Sequence, residues 1–335
     1  MRSFRISTIE PVRGDARITF FQPRNTALNA SRLPRREFLG SLASLAFAPG
    51  AARYAAAQPI DPIERPGPGS IRMSIAAYSY RSLLDFKVKK MDMFEFVTLA
   101  AKLGCDAVEP TSYWFPPDVD AAWLNRLKLH AFRCGLDISG TAIANDFCLP
   151  AGPKRDAEIQ KAREWVEKAA VLGAPVIRIF GGSVPRGESE AEVVPRVIAA
   201  IEEVLPHAAE HGVSLALENH GGITSTPEQL LRLVRGVQAP HGNFGVNLDT
   251  YNFHGTDPYA DVAQLAPYAI NVQVKTEILP QGGSKQPVDY KRIVQILREA
   301  RYSGAVALEY EAEEDPLTAI PGQLQALRGA IQGTS

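Results

Sequence analysis

The chain has 335 residues, with 36 Lys and Arg against 37 Asp and Glu and a 45% hydrophobic content. That balance lacks the basic excess of a nucleic-acid surface. Cys105, Cys134 and Cys148, sparse and without CxxC spacing, point to neither a disulfide framework nor a zinc knuckle. The composition is that of a globular protein, long for one ordinary domain and well sized for a barrel with an extension.

Residues 1–57 read as a leader. Arg35 and Arg36, followed by Phe38 and Leu39, precede a short apolar stretch from Ser41 to Ala48 and a small-residue tail from Ala51 to Ala57. This is the layout of an export signal, and the arginine pair resembles the twin-arginine class. The apolar stretch is too short to span a bilayer, so no stable membrane insertion is expected. The implied transient partner is the twin-arginine translocase, and the implied destination is the periplasm or the medium. The plainer alternative is a basic leader with a chance Arg-Arg pair. Thirty residues ahead of the motif leave the true start and the cleavage site open. Residues 58–70, rich in Pro and Gly, have the composition of a linker.

From there, residues 71–335 alternate strand and helix. Strands are predicted at Met73–Ser79, Cys105–Glu109, Leu136–Ala142, Val176–Phe180, Ser214–Glu218, Phe244–Asp249, Ile270–Lys275 and Ala305–Glu309. Helices are predicted at Met91–Leu103, Ala121–Cys134, Asp156–Leu172, Glu188–Glu210, Pro227–Val237, Tyr259–Leu265, Tyr290–Ala300 and Pro316–Ile331, with Gly104, Gly135 and Gly173 as stops. Eight strands with a helix after each predict an α/β protein, a (β/α)8 TIM barrel. A doubly wound sheet is the alternative, but no glycine-rich fingerprint follows the first strand.

The last four strands each end in a metal-type side chain: Glu218, Asp249, Gln273 and Glu309. Side chains alternate along a strand. Ala216 and His220 therefore share the face of Glu218, Asn247 that of Asp249, Asn271 and Lys275 that of Gln273, and Ala307 and Glu311 that of Glu309. Leu215, Leu217, Val246, Leu248, Val272, Val274, Val306 and Leu308 take the opposite faces, where helices should cover them. Any one strand-end glutamate reads as a cap or an ion-pair partner. Four polar groups in register point to a site. Three carboxylates and an amide at one mouth need a cation, and a divalent metal is the simplest one.

The segments Leu-Glu-Asn-His-Gly-Gly at 217–222, Asn-Leu-Asp-Thr-Tyr-Asn at 247–252, Val-Gln-Val-Lys at 272–275 and Leu-Glu-Tyr-Glu at 308–311 resemble the sugar phosphate isomerase/epimerase family. So do Ala-Tyr-Ser-Tyr-Arg at 77–81 and Val-Glu-Pro-Thr at 108–111. These xylose-isomerase-like barrels include ketose 3-epimerases, hydroxypyruvate isomerases and inosose dehydratases. The resemblance spans Ile71 to Ile331. It implies that Glu218, Asp249, Gln273 and Glu309 hold one divalent cation. Gln273 stands where the family often has histidine, as does Asn252 three residues after the aspartate. The all-oxygen set favours Mn²⁺ or Mg²⁺, with Co²⁺ or Zn²⁺ as alternatives.

The resemblance further implies a metal-stabilised enediolate, with Glu218 and Glu309 as catalytic proton carriers on opposite sides of the substrate carbon. Candidate substrate-binding residues are His220, Lys275, Glu109, Arg178, Asn252, His254 and Trp114. Several have plainer readings. His220 could cap the Gly221-Gly222 turn, Lys275 could pair with Glu309 or Glu311, His254 could be a solvated loop residue, and Trp114 with Phe115 could anchor a loop. Arg178 is costly to bury unpaired, so a carboxylate partner is expected.

The favoured activity is isomerisation or epimerisation of a non-phosphorylated ketose or keto-glycoside, because export separates the protein from sugar phosphates. Alternatives are a lyase or dehydratase on the same site, a non-catalytic sugar-binding barrel, and an endonuclease on abasic DNA. The endonuclease would need a histidine-rich multi-metal cluster, whereas His130, His207, His211 and His241 fall in helices or helix-end loops. The oligomeric state is open.

Overall fold

A computed structural model describes residues 61–333 apart from 68, 89 and 254. The leader with its Arg35-Arg36 pair, and His254, lie outside the described residues. The elements run β1 (Ile71–Ala76), α1 (Met93–Lys102), β2 (Ala107–Glu109), α2 (Ala121–Arg133), β3 (Asp137–Ile138 and Thr141–Ala142), α3 (Pro153–Leu172), β4 (Val176–Ile179) and α4 (Glu190–Glu210). They continue with β5 (Ser214–Glu218), α5 (Pro227–Gly236), β6 (Phe244–Asp249), α6 (Pro258–Leu265), β7 (Ala269–Val274), α7 (Tyr290–Glu299), β8 (Gly304–Leu308) and α8 (Pro316–Gln332).

The strands form one curled parallel sheet. β1 pairs with β8, placing Ile71 opposite Gly304 and Ile75 opposite Leu308. β3 is not the single strand expected over Leu136–Ala142. Its first half pairs with β2 and its second half with β4. The crossing falls at Gly140, where an added Cβ would lie 2.9 Å from a methyl carbon of Val176 and 3.3 Å from its carbonyl oxygen. A residue without a side chain lets the stave swing from one neighbour to the other and close the TIM barrel.

Local chemistry sets the helix ends within a few residues of expectation. Asp92 caps α1 reciprocally with Glu95, which moves the start from Met91 to Met93. At α4 the Glu192 carboxylate accepts from both the backbone N–H and the hydroxyl of Ser189, and the helix starts at Glu190 where Glu188 was expected. Pro153 at the first turn draws α3 forward from Asp156. α4 continues through both Pro195 and Pro206. Among the described residues no helix is long and apolar enough to cross a membrane.

The helix-facing strand residues named above are all fully buried, each contributing about 1.5–3 kcal/mol of burial free energy. The barrel interior is polar instead. Glu109, Arg178, Asn247, Asn271 and Gln273 are buried there and must be hydrogen-bonded. The described part of the linker is pinned to the barrel: Ile63 N–H donates to the Pro267 carbonyl at 3.0 Å, and Arg65 stands 5.3 Å above the Tyr302 ring.

Candidate active site

The site is built in three levels. The lowest is an amide layer. Asn247 Nδ2 donates to Gln273 Oε1 at 2.8 Å, and Asn271 Nδ2 reaches both Asn247 Oδ1 and Glu109 Oε2 at 2.7 Å. Gln273 Nε2 donates to Glu109 Oε1 at 2.5 Å. Both oxygens of Glu109 are thus taken by amides from β7, and burial raises its pKa. Glu109, a candidate substrate contact by its place at a strand end, instead orients Gln273 from below.

The middle level holds the carboxylates. Glu218, at the end of β5, meets Arg178 Nε at 2.8 Å and accepts from Asn252 Nδ2 at 3.1 Å. Arg178 thereby has the carboxylate partner expected of it, and it also donates to the Ile143 carbonyl and the Tyr113 hydroxyl. Lys275 Nζ lies 3.2 Å from Asp249, 3.3 Å from Glu309 and 3.1 Å from Glu311. The ion-pair reading of Lys275 holds, and it includes a third carboxylate, Asp249. Two resident cations thus stand among the four acids.

The motif residues around these acids hold them in place. Asn219 grips the backbone of Asp249 on both sides, donating to its carbonyl and accepting from its N–H. Ser79 accepts from Tyr310 N–H and donates to the Leu308 carbonyl, bracketing Glu309. Arg81 donates to the carbonyls of Tyr310 and Glu311. The early segment after β1 therefore ties down the end of β8.

Burial dominates the electrostatics. It raises Glu218 well above the carboxylate range, with Asp249 and Glu309 adding to the shift and Arg178 and Lys275 opposing it. It pushes Glu309 up to about 7 against the pull of Lys275, with Asp249 and Glu311 reinforcing. Burial alone would lower Lys275. The surrounding acids outweigh it, so the ammonium stays charged.

The rim is aromatic. Trp114 packs edge-on against Tyr78 and Tyr113, at 5.6 and 5.8 Å between ring centroids. His220 is exposed, its ring 4.2 Å from that of Phe180, which lies 3.9 Å beneath the Arg178 guanidinium. Partial desolvation of the ring on its Phe180 side, and then the charge of nearby Arg178, lower the His220 pKa. Its backbone N–H donates to Thr224 Oγ1, closing the glycine turn. Tyr113 went unnoticed in the sequence; beyond its place beside Trp114, nothing local marks it as the partner of Arg178.

The donor set fits a hard divalent cation. Glu218 Oε2 and Asp249 Oδ2 are buried and receive no directed hydrogen bond, having only the nearby charges of Arg178 and Lys275. Gln273 Oε1 has used one of two lone pairs on Asn247.

Residues 97–330 match the xylose isomerase-like TIM barrel. This chain belongs to that family. Among relatives of this xylose isomerase-like barrel is a mouse protein provisionally named hydroxypyruvate isomerase, 29% identical over 186 residues, half of this chain. The match spans 65% of the mouse protein's length. The structure of a D-psicose 3-epimerase with D-tagatose from Clostridium cellulolyticum H10 superposes with a TM-score of 0.61 at 15% identity, covering 78% of this chain and 98% of that one. A mannonate dehydratase from Streptococcus suis serotype 2 gives 0.58 at 16% identity, covering 79% and 95%. At these identities the two structures establish the fold.

Proposed function

We propose that this barrel is a divalent-metal-dependent isomerase or epimerase of a non-phosphorylated ketose or keto-glycoside. The carrying observation is Glu309, a buried strand-end carboxyl pushed up to about 7, in one ion network with Asp249, Glu311 and Lys275. Burial shifts that carboxyl in the direction a proton carrier at neutral pH needs, and a cation beside it would draw the value back down. Glu218, also raised, is its counterpart, and β6 and β7 separate their two strands.

Glu218, Asp249, Glu309 and the Gln273 carbonyl would hold the cation, Mn²⁺ or Mg²⁺ being favoured by four oxygen donors. The cation supplies charge stabilisation for the substrate oxygens as the carbon loses its proton. Asn247 and Glu109 keep the Gln273 carbonyl oriented. Arg178 and Lys275 keep the acid cluster near charge balance. Trp114, Tyr78 and Tyr113 offer an apolar wall against which a sugar face can pack. The provisionally named mouse hydroxypyruvate isomerase and the ketose epimerase among similar proteins support carbonyl–enediolate chemistry as the class.

The reading is tested with metal-loaded protein and a panel of free ketoses and keto-glycosides in deuterated water. Deuterium should enter the substrate carbon next to the carbonyl. A panel that shows neither exchange nor conversion would leave a sugar-binding barrel as the better account. Asp249→Ala should abolish stoichiometric metal binding at the mouth, measured by elemental analysis after gel filtration. A full equivalent of mouth metal in that variant would refute the ligand set.

We also propose export by the twin-arginine route. Replacing Arg35 and Arg36 by lysine should trap the precursor in the cytoplasm. Normal appearance of the mature protein outside it would rule that route out.

A further inference from the structure

A second cluster lies on the outside of the barrel, at its opposite end from the mouth. His207 is in the last turn of α4 and His211 is its C-cap, four residues on, so both rings project from one face. Glu167 faces them from α3. One ligand atom from each of the three lies within 4.8 Å of the others. His207 Nε2 stands 3.3 Å from Glu167 Oε1, yet it makes no directed hydrogen bond with it or with any other group. His211 Nδ1 is 2.9 Å from the His207 carbonyl oxygen. That nitrogen therefore donates, which leaves the His211 Nε2 lone pair free. The two rings are 4.4 Å apart between centroids.

We infer that Glu167, His207 and His211 form a binding site for a borderline transition-metal ion of the Zn²⁺ class, which clips α3 to α4. Two imidazoles and one carboxylate are a donor set such ions take, with water completing the shell. Bond lengths of about 2.0–2.2 Å place ligand atoms roughly 3–4 Å apart, so small side-chain rotations close the site. The backbone carbonyl held by His211 Nδ1 is the kind of outer partner that fixes the coordinating tautomer. The position adds to the case. A helix C-terminus favours positive charge, and the carboxylate comes from the neighbouring helix, so the ion adds a link between two helices already joined by Arg155 and Arg163 to Glu203.

The donor chemistry separates this site from the mouth, where all four proposed ligands are oxygens. The probe is Cu²⁺ for spectroscopy and Zn²⁺ for stability, on untagged full-length protein stripped with a chelator. One equivalent of Cu²⁺ should show nitrogen superhyperfine coupling in electron paramagnetic resonance. The coupling should disappear in the His207→Ala/His211→Ala double variant and persist in His220→Ala and in Asp249→Ala. Zn²⁺ should raise the melting temperature of wild type and of Asp249→Ala. The double variant should lose that gain, with at least a tenfold weaker Zn²⁺ affinity. Should the double variant fail to fold, Glu167→Gln, an exposed change, should weaken Zn²⁺ binding in the same direction. Nitrogen coupling that survives loss of both histidines, or an equal Zn²⁺ stabilisation in wild type and Glu167→Gln, would overturn the site.

Discussion

Glutamine at Glu309 or at Glu218 should leave the barrel folded and at least part of the mouth metal bound, while turnover falls by about 10²–10⁴-fold. The amide keeps an oxygen donor of nearly the same size at the strand end. It cannot accept a proton from carbon. The two positions differ in what else they disturb. Glu309 shares Lys275 with Asp249 and Glu311, so its neutralisation leaves the ammonium with two acids. Glu218 is the carboxylate beside the buried Arg178 guanidinium, so Glu218→Gln leaves that charge with the Tyr113 hydroxyl and a carbonyl and should cost more stability. Melting curves and metal content must therefore accompany the rates. Both variants should still bind a chelating substrate analogue. If both, folded and metal-loaded, turn over a true substrate at near wild-type rates, the two-glutamate chemistry is wrong, and His220 and Lys275 become the next residues to test.

The barrel was legible because period-2 strands and capped helices are local signals, and because four strand ends agreed in register. Ser214–Glu218 and Phe244–Asp249 match expectation residue for residue. The split of β3 was not legible, since the bend depends on the closeness of Val176 to Gly140, a contact from the next stave. The acids of the site were visible as types at strand ends; their partners were not. Lys275 reads from spacing as a pocket cation or as the partner of Glu309 or Glu311, two acids just past β8; its third carboxylate, Asp249 at the end of β6, comes from a neighbouring strand and is not legible from that spacing. Glu109 reads as a pocket acid because it ends a strand. Its amide partners, Asn271 and Gln273, sit more than 160 residues away in sequence. The motif after β1 carried the resemblance without a reason, and the reason is tertiary: Ser79 and Arg81 hold the backbone on either side of Glu309.

Replacing Lys275 with methionine should expose how the acid cluster is balanced. The stem still fits, but the ammonium that faces Asp249, Glu309 and Glu311 is gone. Breaking a buried pair from one side costs about 3–5 kcal/mol, which for a chain of this size is a fall in Tm of order 10 °C. Asp249 and Glu309 carry that cost, being buried; Glu311 is part-exposed and screened. The deficit should depend on pH. In the wild type Glu309 already sits at about 7, raised by burial with Asp249 and Glu311 reinforcing, and without Lys275 it rises further. A carboxyl whose folded pKa lies above its unfolded value is stable in the fold while protonated, and that stability drains away as pH climbs from the unfolded value through the folded one. The variant should therefore be closest to wild type near pH 5 and fall progressively behind toward pH 8. A divalent ion at the mouth supplies the missing charge, so added Mn²⁺ should raise the Tm of Lys275→Met by more than it raises that of wild type. Equal gains in the two proteins, or a metal-free variant as stable as wild type at pH 8, would show that Lys275 is not the counter-charge of these acids.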